Sequence, residues 1–209
     1  RIILGSASPR RRELLEQIGI SFEVRVSDKE EVYHSLIPEE IVKELALSKA
    51  ENVADDLREK QEQVKQISFD KKNNVLLDTI VIGADTIVVS DGSILGKPKD
   101  EADAVRMIRS LQGRSHKVYT GVAILDYDDE GKRKSVVHAV ETEVFVNPMS
   151  DEEIREYAAT GEPLDKAGAY GIQGQFAAYI ERIDGDYYNV VGLPVSYVYR
   201  QLKEIAEKD

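Results

Sequence analysis

The chain opens with a strand, a loop and a helix, in the stretch IILGSASPRRRELL of residues 2–15. The apolar residues at 2–4 predict a short buried strand. Ser8 is a good helix N-cap and Pro9 fits the first helical position, so the sequence predicts a helix from there to Gly19. This junction begins an alternation of strands and helices that decides the fold class.

The first turn of the predicted helix carries three arginines, Arg10, Arg11 and Arg12. The helix dipole already makes this end positive, so each cation there costs roughly a few tenths of a kcal/mol at the surface. A strand–loop–helix junction with free amides and guanidinium groups suits a polyanion such as a phosphate chain. A solvated basic turn is the alternative, but three arginines in a row favour a phosphate site.

Strand and helix patterns alternate along the rest of the chain, with polar turns between them. Hairpins are too frequent for a pure doubly wound fold, so we expect an α/β fold with a mixed, partly antiparallel sheet flanked by helices. We expect one domain, 1–209, arranged as two lobes around a cleft, with the charged segment 55–78 as an inserted helix extension and loop. The predicted strands lie at 22–26, 80–89, 93–95, 117–127, 135–146 and 177–183, and further helices begin near Pro38, Glu101, Asp151 and Pro194.

Composition excludes several classes of protein. Lys and Arg number 28 against 39 Asp and Glu, a formal net charge of −11, which argues against binding nucleic acid or an acidic membrane. There is no Cys, which excludes thiol catalysis and zinc–thiolate sites, and no apolar run approaches the ~20 residues that span a bilayer. His34, His116 and His138 lack metal-ligand spacing. We therefore expect a cytoplasmic enzyme whose arginine cluster binds a small anion.

Asp85 lies inside an apolar strand, where a carboxylate is costly unless it is paired, hydrogen-bonded or metal-bound. A hydrogen bond to backbone amides at a strand end is the alternative to a functional role. With a two-residue turn at 91–92, Lys97 falls opposite Thr86, and with a three-residue turn beginning at Ser90 it falls opposite Asp85. Both registers remain open from sequence.

Two more charged residues are candidates for the functional site, on weaker evidence. Lys49 lies on the apolar stripe of its predicted helix, where it either snorkels to solvent or serves a site. Glu31 lies in an acidic loop, and nothing in the sequence distinguishes it from Glu30 or from a solvated residue.

The glycine-rich segment 165–174 contains Lys166 and Gln173. Glycines let backbone amides approach a ligand, and the Gln173 amide offers a donor and an acceptor, as the edge of a nucleobase requires. A glycine-rich loop alone is weak evidence for a nucleotide site. Its combination with a predicted phosphate site is stronger evidence.

Together these residues resemble the Maf-like nucleotide pyrophosphatases, which are related in fold to the inosine triphosphate pyrophosphatases. The resemblance implies hydrolysis of a nucleoside triphosphate to the monophosphate and pyrophosphate with Mg²⁺ or Mn²⁺, and a possible homodimer. It covers nearly the whole chain through motifs in the right order, at 6–11, 83–86, 96–98, 120–122, 165–174 and 192–194.

The resemblance also implies roles for individual residues. Asp85 is the proton acceptor and, with Glu31, a metal-linked carboxylate, and Lys97 acts with them in catalysis. The implied substrate-binding residues are Ser6, Arg10, Arg11, Lys49, Thr86, Lys166 and Gln173.

The form of the glycine-rich segment resembles the family branch that hydrolyses dTTP and UTP, in which Arg10, Thr86 and Gln173 would tune base choice. One alternative is a pyrophosphatase for methylated or damaged purine triphosphates, of the 7-methyl-GTP type. Another is a nucleotide-binding regulator of cell division that does not turn its ligand over.

Overall fold

The computed structural model describes residues 1–30, 32–67, 78–128 and 130–207. One sheet organises this part of the chain, with strand order β2-β1-β3-β5-β6-β7 and β4 paired to β3. β1 is parallel to β2 and β3, and the other pairs are antiparallel. This confirms the predicted mixed, partly antiparallel sheet. The strands are β1 (Ile2–Leu4), β2 (Glu23–Val24), β3 (Ile80–Ser90), β4 (Ser93–Leu95), β5 (Ser115–Tyr127), β6 (Arg133–Val146) and β7 (Ile180–Asp184).

Helices cover both faces of the sheet, as the alternation of buried residues on the strands requires. Ile3 and Val81 pack under α2, whereas their neighbours Leu4 and Ile82 belong to the larger core on the opposite face, with α1, α3, α4 and α6. The helices are α1 (Pro9–Gln17), α2 (Pro38–Ile67), α3 (Glu101–Leu111), α4 (Asp151–Ala159), α5 (Tyr187–Val191) and α6 (Val195–Ala206). No helix in the described ranges is long and apolar enough to cross a membrane.

Capping residues set the helix starts that the sequence predicted. Asp100 accepts a hydrogen bond from the Asp103 amide at the start of α3, and Ser150 and Glu153 form a capping box at the start of α4. Ser8 is the N-cap of α1 but makes no capping bond with its side chain.

The β3–β4 hairpin has the two-residue turn, one of the two alternatives that the sequence left open. Asp91 and Gly92 have φ of 49° and 75°, so both take the left-handed conformation of a two-residue turn. Ser90 pairs with Ser93 and Val88 with Leu95, where β4 ends, so Lys97 lies two residues beyond the paired part of the hairpin.

Glycines let α2 lie directly on the sheet. A Cβ at Gly83 of β3 would collide with the Ala46 carbonyl oxygen, and one at Gly121 of β5 would collide with the Val42 carbonyl oxygen. The close approach brings the next turn of α2, with Lys49, over β3.

Two expectations about the elements need correction, and one short helix was missed. The strand expected at 22–26 is only Glu23–Val24, and the strand expected at 177–183 is a 3₁₀ turn over Gln175–Tyr179 followed by β7. Helix α5 was not predicted. Short apolar runs do not distinguish strand from helix by periodicity, and here the fully buried Phe176 fixes a tight turn instead. The helical part of segment 55–78 continues α2 to Ile67, and residues 68–77 lie outside the described residues.

Candidate active site

A cavity of about 730 Å³ lies where the loop after β1, α2, β3 and the glycine-rich segment meet. Its volume is in the range typical of small-molecule sites. Nearly every site residue predicted from sequence lines it, although they come from distant parts of the chain; Glu31 lies outside the described residues. The predicted residues in the lining are Ser6, Arg10, Arg11, Lys49, Asp85, Thr86, Lys97, Lys166 and Gln173.

The cavity is basic although the molecule is acidic. Among the described residues, three carboxylates line it, those of Asp85, Glu162 and Asp165, against twice as many cations. Lys29 is a cation that sequence reasoning missed, because nothing distinguishes it from other charged residues of its loop. Positive charge concentrated in a cleft attracts anions against the overall field of the protein. The lining cations are Arg10, Arg11, Lys29, Lys49, Lys97 and Lys166.

Arg11 is buried and ties three parts of the chain together. Its Nε donates to the Gly192 carbonyl oxygen at 2.8 Å, Nη1 donates to Ser6 Oγ at 3.0 Å, and Nη2 donates to Thr86 Oγ1 at 3.0 Å. Only 8% of the residue is exposed. A guanidinium is planar, so three bonds to fixed partners hold its orientation before any ligand binds.

The Thr86 hydroxyl is part of a directed chain of hydrogen bonds. Thr120 Oγ1 donates to the Asn189 carbonyl oxygen at 2.9 Å, so its contact of 2.9 Å with Thr86 Oγ1 is one that Thr86 donates. Thr86 therefore accepts from Arg11 and donates to Thr120, and this buried chain anchors the guanidinium to the sheet.

The other two arginines of α1 differ in position. Arg10 lines the cavity and lies 3.5 Å from Asp165 Oδ2 across its mouth, whereas Arg12 is exposed outside the lining. Successive helical residues point about 100° apart, so adjacent positions cannot all face one ligand.

Asp85 is paired with Lys49, whose Nζ lies 2.5 Å from Oδ1. The side chains are 17% and 20% exposed, so each half-buried charge is compensated by the other. The sequence predicted Lys97 opposite Asp85 or its neighbour Thr86, and it left open whether Lys49 snorkels to solvent or serves a site. The glycine contacts of α2 explain the difference, because they lower Lys49 onto β3.

Asp85 is also the residue that fits a divalent cation. The described part of the chain holds no cluster of three or more metal-ligating side chains. Mg²⁺ is commonly held by one or two carboxylates together with waters and substrate phosphates, so a single carboxylate beside phosphate-binding cations suits an ion that enters with the substrate. An all-protein metal cage does not fit these residues.

The glycine-rich segment forms another part of the cavity wall. Lys166 Nζ donates to Asp165 Oδ1 at 2.7 Å and to the Glu162 carbonyl oxygen at 2.8 Å, and the Gly168 amide donates to the Gly96 carbonyl oxygen beside Lys97. Burial raises the pKa of Asp165, but Lys166 and Arg10 outweigh it and hold that pKa below its usual value. The segment therefore presents Lys166 in a fixed position.

His116 is buried and lies outside the cavity lining. Its Nε2 lies 2.7 Å from the hydroxyl of Tyr170, which does line the cavity. Burial lowers the pKa of His116 to about 4, so the ring is neutral at neutral pH. It supports the segment that carries Tyr170 without contributing charge.

A family model described as Maf-like protein matches residues 1–205, which confirms the family predicted from the motifs. A protein of Agathobacter rectalis named dTTP/UTP pyrophosphatase is 46% identical over 205 residues, covering 98% of this chain and 97% of that protein. One of Bacillus cereus with the same name is 47% identical over 207 residues, covering 98% and 95%. A solved structure titled "The structure of the Staphylococcus aureus Ham1 protein" is a distant match, with 15% identity, 68% and 71% coverage and a TM-score of 0.37.

Proposed function

This chain belongs to the Maf family, and we propose that it hydrolyses nucleoside triphosphates, preferentially dTTP and UTP, to the monophosphate and pyrophosphate. One observation carries the proposal: cations from α1, α2, the end of the β3–β4 hairpin and the glycine-rich segment converge around Asp85 in one cavity. The names of its relatives support the choice of bases. The enzyme would remove or limit pyrimidine triphosphates in the cytoplasmic nucleotide pool.

The triphosphate would bind across the basic side of the cavity. Arg10 and Arg11 lie at the N-terminus of α1, where backbone amides and the helix dipole add to their charge. Lys49, Lys97 and Lys166 approach from the other elements. Ser6 already accepts a hydrogen bond from Arg11, so its hydroxyl proton remains to be donated to a phosphate oxygen.

Asp85 is placed to accept the proton of the attacking water. The water oxygen bonds to the α-phosphorus, the bond from that phosphorus to the bridging oxygen breaks, and the proton passes to the free oxygen of Asp85. Lys97 and the other cations stabilise the pyrophosphate as it leaves. A Mg²⁺ or Mn²⁺ ion held by Asp85, Glu31 and substrate oxygens would supply charge neutralisation. No covalent enzyme intermediate is needed.

Gln173 would select the base. Uracil and thymine present an acceptor, a donor and an acceptor in a row, and a primary amide supplies a matching donor and acceptor. The Gln173 side chain is exposed at the cavity wall, so a bound base would cover it. Wrong bases would then leave buried polar groups unpaired, which is the basis of strong discrimination.

Pyrophosphate release measured over dTTP, UTP, CTP, ATP, GTP and 7-methyl-GTP tests the proposal. We expect dTTP and UTP to have the highest kcat/KM, with equal amounts of monophosphate and pyrophosphate, and activity lost in EDTA and restored by Mg²⁺ or Mn²⁺. Preference for 7-methyl-GTP would favour the purine alternative. Tight binding without turnover in the presence of metal would indicate a regulator, and orthophosphate as first product would contradict the reaction itself.

A further inference from the structure

The loop that carries Gln173 is held on both sides by one pair of side chains, Tyr157 and Glu162. The Gly171 amide donates to the Tyr157 hydroxyl oxygen at 3.3 Å, and the Gln175 amide donates to Glu162 Oε2 at 3.0 Å. The Tyr157 hydroxyl donates in turn to Glu162 Oε1 at 2.9 Å. Backbone groups two residues before and two residues after Gln173 are therefore bonded to one connected pair.

The pair also determines the shape of the loop. The Glu162 carboxylate lies against the loop backbone so closely that a Cβ at Gly174 would collide with it. The Gly174 amide closes a turn by donating to the Gly171 carbonyl oxygen at 3.1 Å. Tyr157 is 3% exposed, and its ring packs against Phe176 with centroids 5.1 Å apart. Both hydrogen bonding and packing thus fix residues 171–175.

The Gln173 side chain differs from the loop backbone in its hydrogen bonding. It is exposed at the cavity wall, and its amide makes no hydrogen bond to another described residue. A fixed backbone that presents an amide without an internal partner lowers the entropy lost when a ligand binds to that amide.

We propose that Tyr157 and Glu162 are positioning residues for base recognition, which hold the 171–175 loop so that the Gln173 amide meets the edge of a pyrimidine. The inference rests on the proposed function and extends it to Tyr157, which lies below the cavity lining, and to Glu162, which is part of that lining. Their side chains act on the base through the loop, and a side-chain substitution leaves in place the Glu162 main-chain carbonyl that accepts from Lys166.

Tyr157→Phe tests the pair, because it removes one hydroxyl and keeps the buried ring. Losing both hydrogen bonds of this hydroxyl, the one from the Gly171 amide and the one to Glu162, should lower kcat/KM for dTTP and UTP roughly tenfold, mainly through KM. Hydrolysis of ATP and GTP, and inhibition by inorganic triphosphate, which has no base, should stay within about twofold. Tyr197→Phe is the matched control, since Tyr197 stacks on His138 away from the cavity lining.

A second series varies the acceptor. Glu162→Gln keeps one acceptor oxygen and Glu162→Ala keeps none, so pyrimidine selectivity should fall in that order from the wild type. Hydrogen exchange at the Gly171 and Gln175 amides should quicken in the same order. That readout needs no turnover, and thermal unfolding shows whether each variant is folded.

The outcomes distinguish the proposed pyrimidine substrates from the positioning role of Tyr157 and Glu162. Equal losses for every nucleotide and for inorganic triphosphate would assign Tyr157 and Glu162 to the scaffold and overturn the inference. A wild-type pyrimidine preference that all variants retain would overturn the positioning role alone. A wild type without pyrimidine preference would overturn the proposed substrates and this inference with them.

Discussion

Arg11 shows how one residue combines a structural and a ligand-facing position. Its guanidinium joins α1 to β3 and to Gly192 through bonds of 2.8 to 3.0 Å, and it also lines the cavity. A surface arginine carries the same charge, but its side chain would lose conformational entropy on binding a phosphate. The hydrogen-bond partners of Arg11 already fix its side chain in the folded protein. Its side-chain entropy is therefore lost during folding and not when a ligand binds.

Alanine substitution of the three arginines of α1 should give three different results. Arg10→Ala should raise KM for all nucleotides about tenfold or more without changing the unfolding temperature, since Arg10 is half-buried and only loosely paired. Arg11→Ala should weaken binding and also cost roughly 1–3 kcal/mol of unfolding free energy, because buried acceptors lose their donor. Arg12→Ala is the matched control and should change neither quantity.

Kinetics with inorganic triphosphate as competitor and thermal unfolding measure both quantities for each variant. Similar losses at all three positions would contradict a defined cradle and indicate a diffuse basic surface.

Asp85→Asn preserves shape and removes the proton acceptor. We expect kcat to fall by about 10²–10⁴, the usual contribution of a general base. Asp165→Asn is the control, because Asp165 lines the same cavity but pairs with Arg10 and Lys166. If kcat for Asp85→Asn stayed close to the wild-type value while folding was intact, the Asp85–Lys49 pair would be structural only.

At the scale of elements, the position of α2 on the sheet decides the geometry around Asp85. Gly83 and Gly121 leave no room for a side chain between helix and strands. Lys49 reaches Asp85 only because the helix lies this close. The packing of an element therefore sets the distance between two charged groups of the site.

Gly121→Ala should disturb both stability and catalysis. The added methyl would collide with the Val42 carbonyl, and overpacking of this kind typically costs about 1–3 kcal/mol. Displacement of α2 should also lengthen the contact between Lys49 and Asp85 and lower kcat. Gly96→Ala is the stability control, since a Cβ there has no atom within 4 Å. Thermal unfolding and kcat measure the two effects, and equal unfolding temperatures for both variants would contradict the tight packing.

Short-range sequence signals predicted the features that depend only on neighbouring residues, such as the starts of helices. The Pro9 start of α1, the Asp100 cap and the Ser150 capping box need only neighbouring residues. The residues of the cavity were found through motifs. The Asp85–Lys49 pair was not found, since it depends on how closely a helix approaches the sheet, and the Tyr157–Glu162 pair was missed for a similar reason: its partners are backbone amides of a turn that sequence reasoning had not placed.

At the scale of the whole molecule, His116 should make stability depend on pH. Burial lowers its pKa from 6.5 to about 4, so between these values the unfolded chain binds a proton that the folded protein does not. The free energy of unfolding should therefore rise with pH across this window, by up to about 3 kcal/mol, and be constant for this group above it. The contribution is lost as pH falls towards 4.

Urea unfolding of the wild type at several pH values measures this slope. His116→Gln should reduce the slope between pH 4 and 6.5. Identical slopes for the wild type and His116→Gln would show that other groups cause the decrease in unfolding free energy at acid pH.

The origin of the cavity cations has a consequence for the folding equilibrium. Arg10, Lys49, Lys97 and Lys166 come from four separate stretches of the chain, so an unfolded molecule offers a triphosphate no site at all. A ligand that binds only the native state displaces the equilibrium by mass action, by about 2.7 kcal/mol at a concentration of 100 times Kd. The nucleotide pool on which such an enzyme acts would then also control how much of it survives as folded protein, with depletion of substrate favouring its loss.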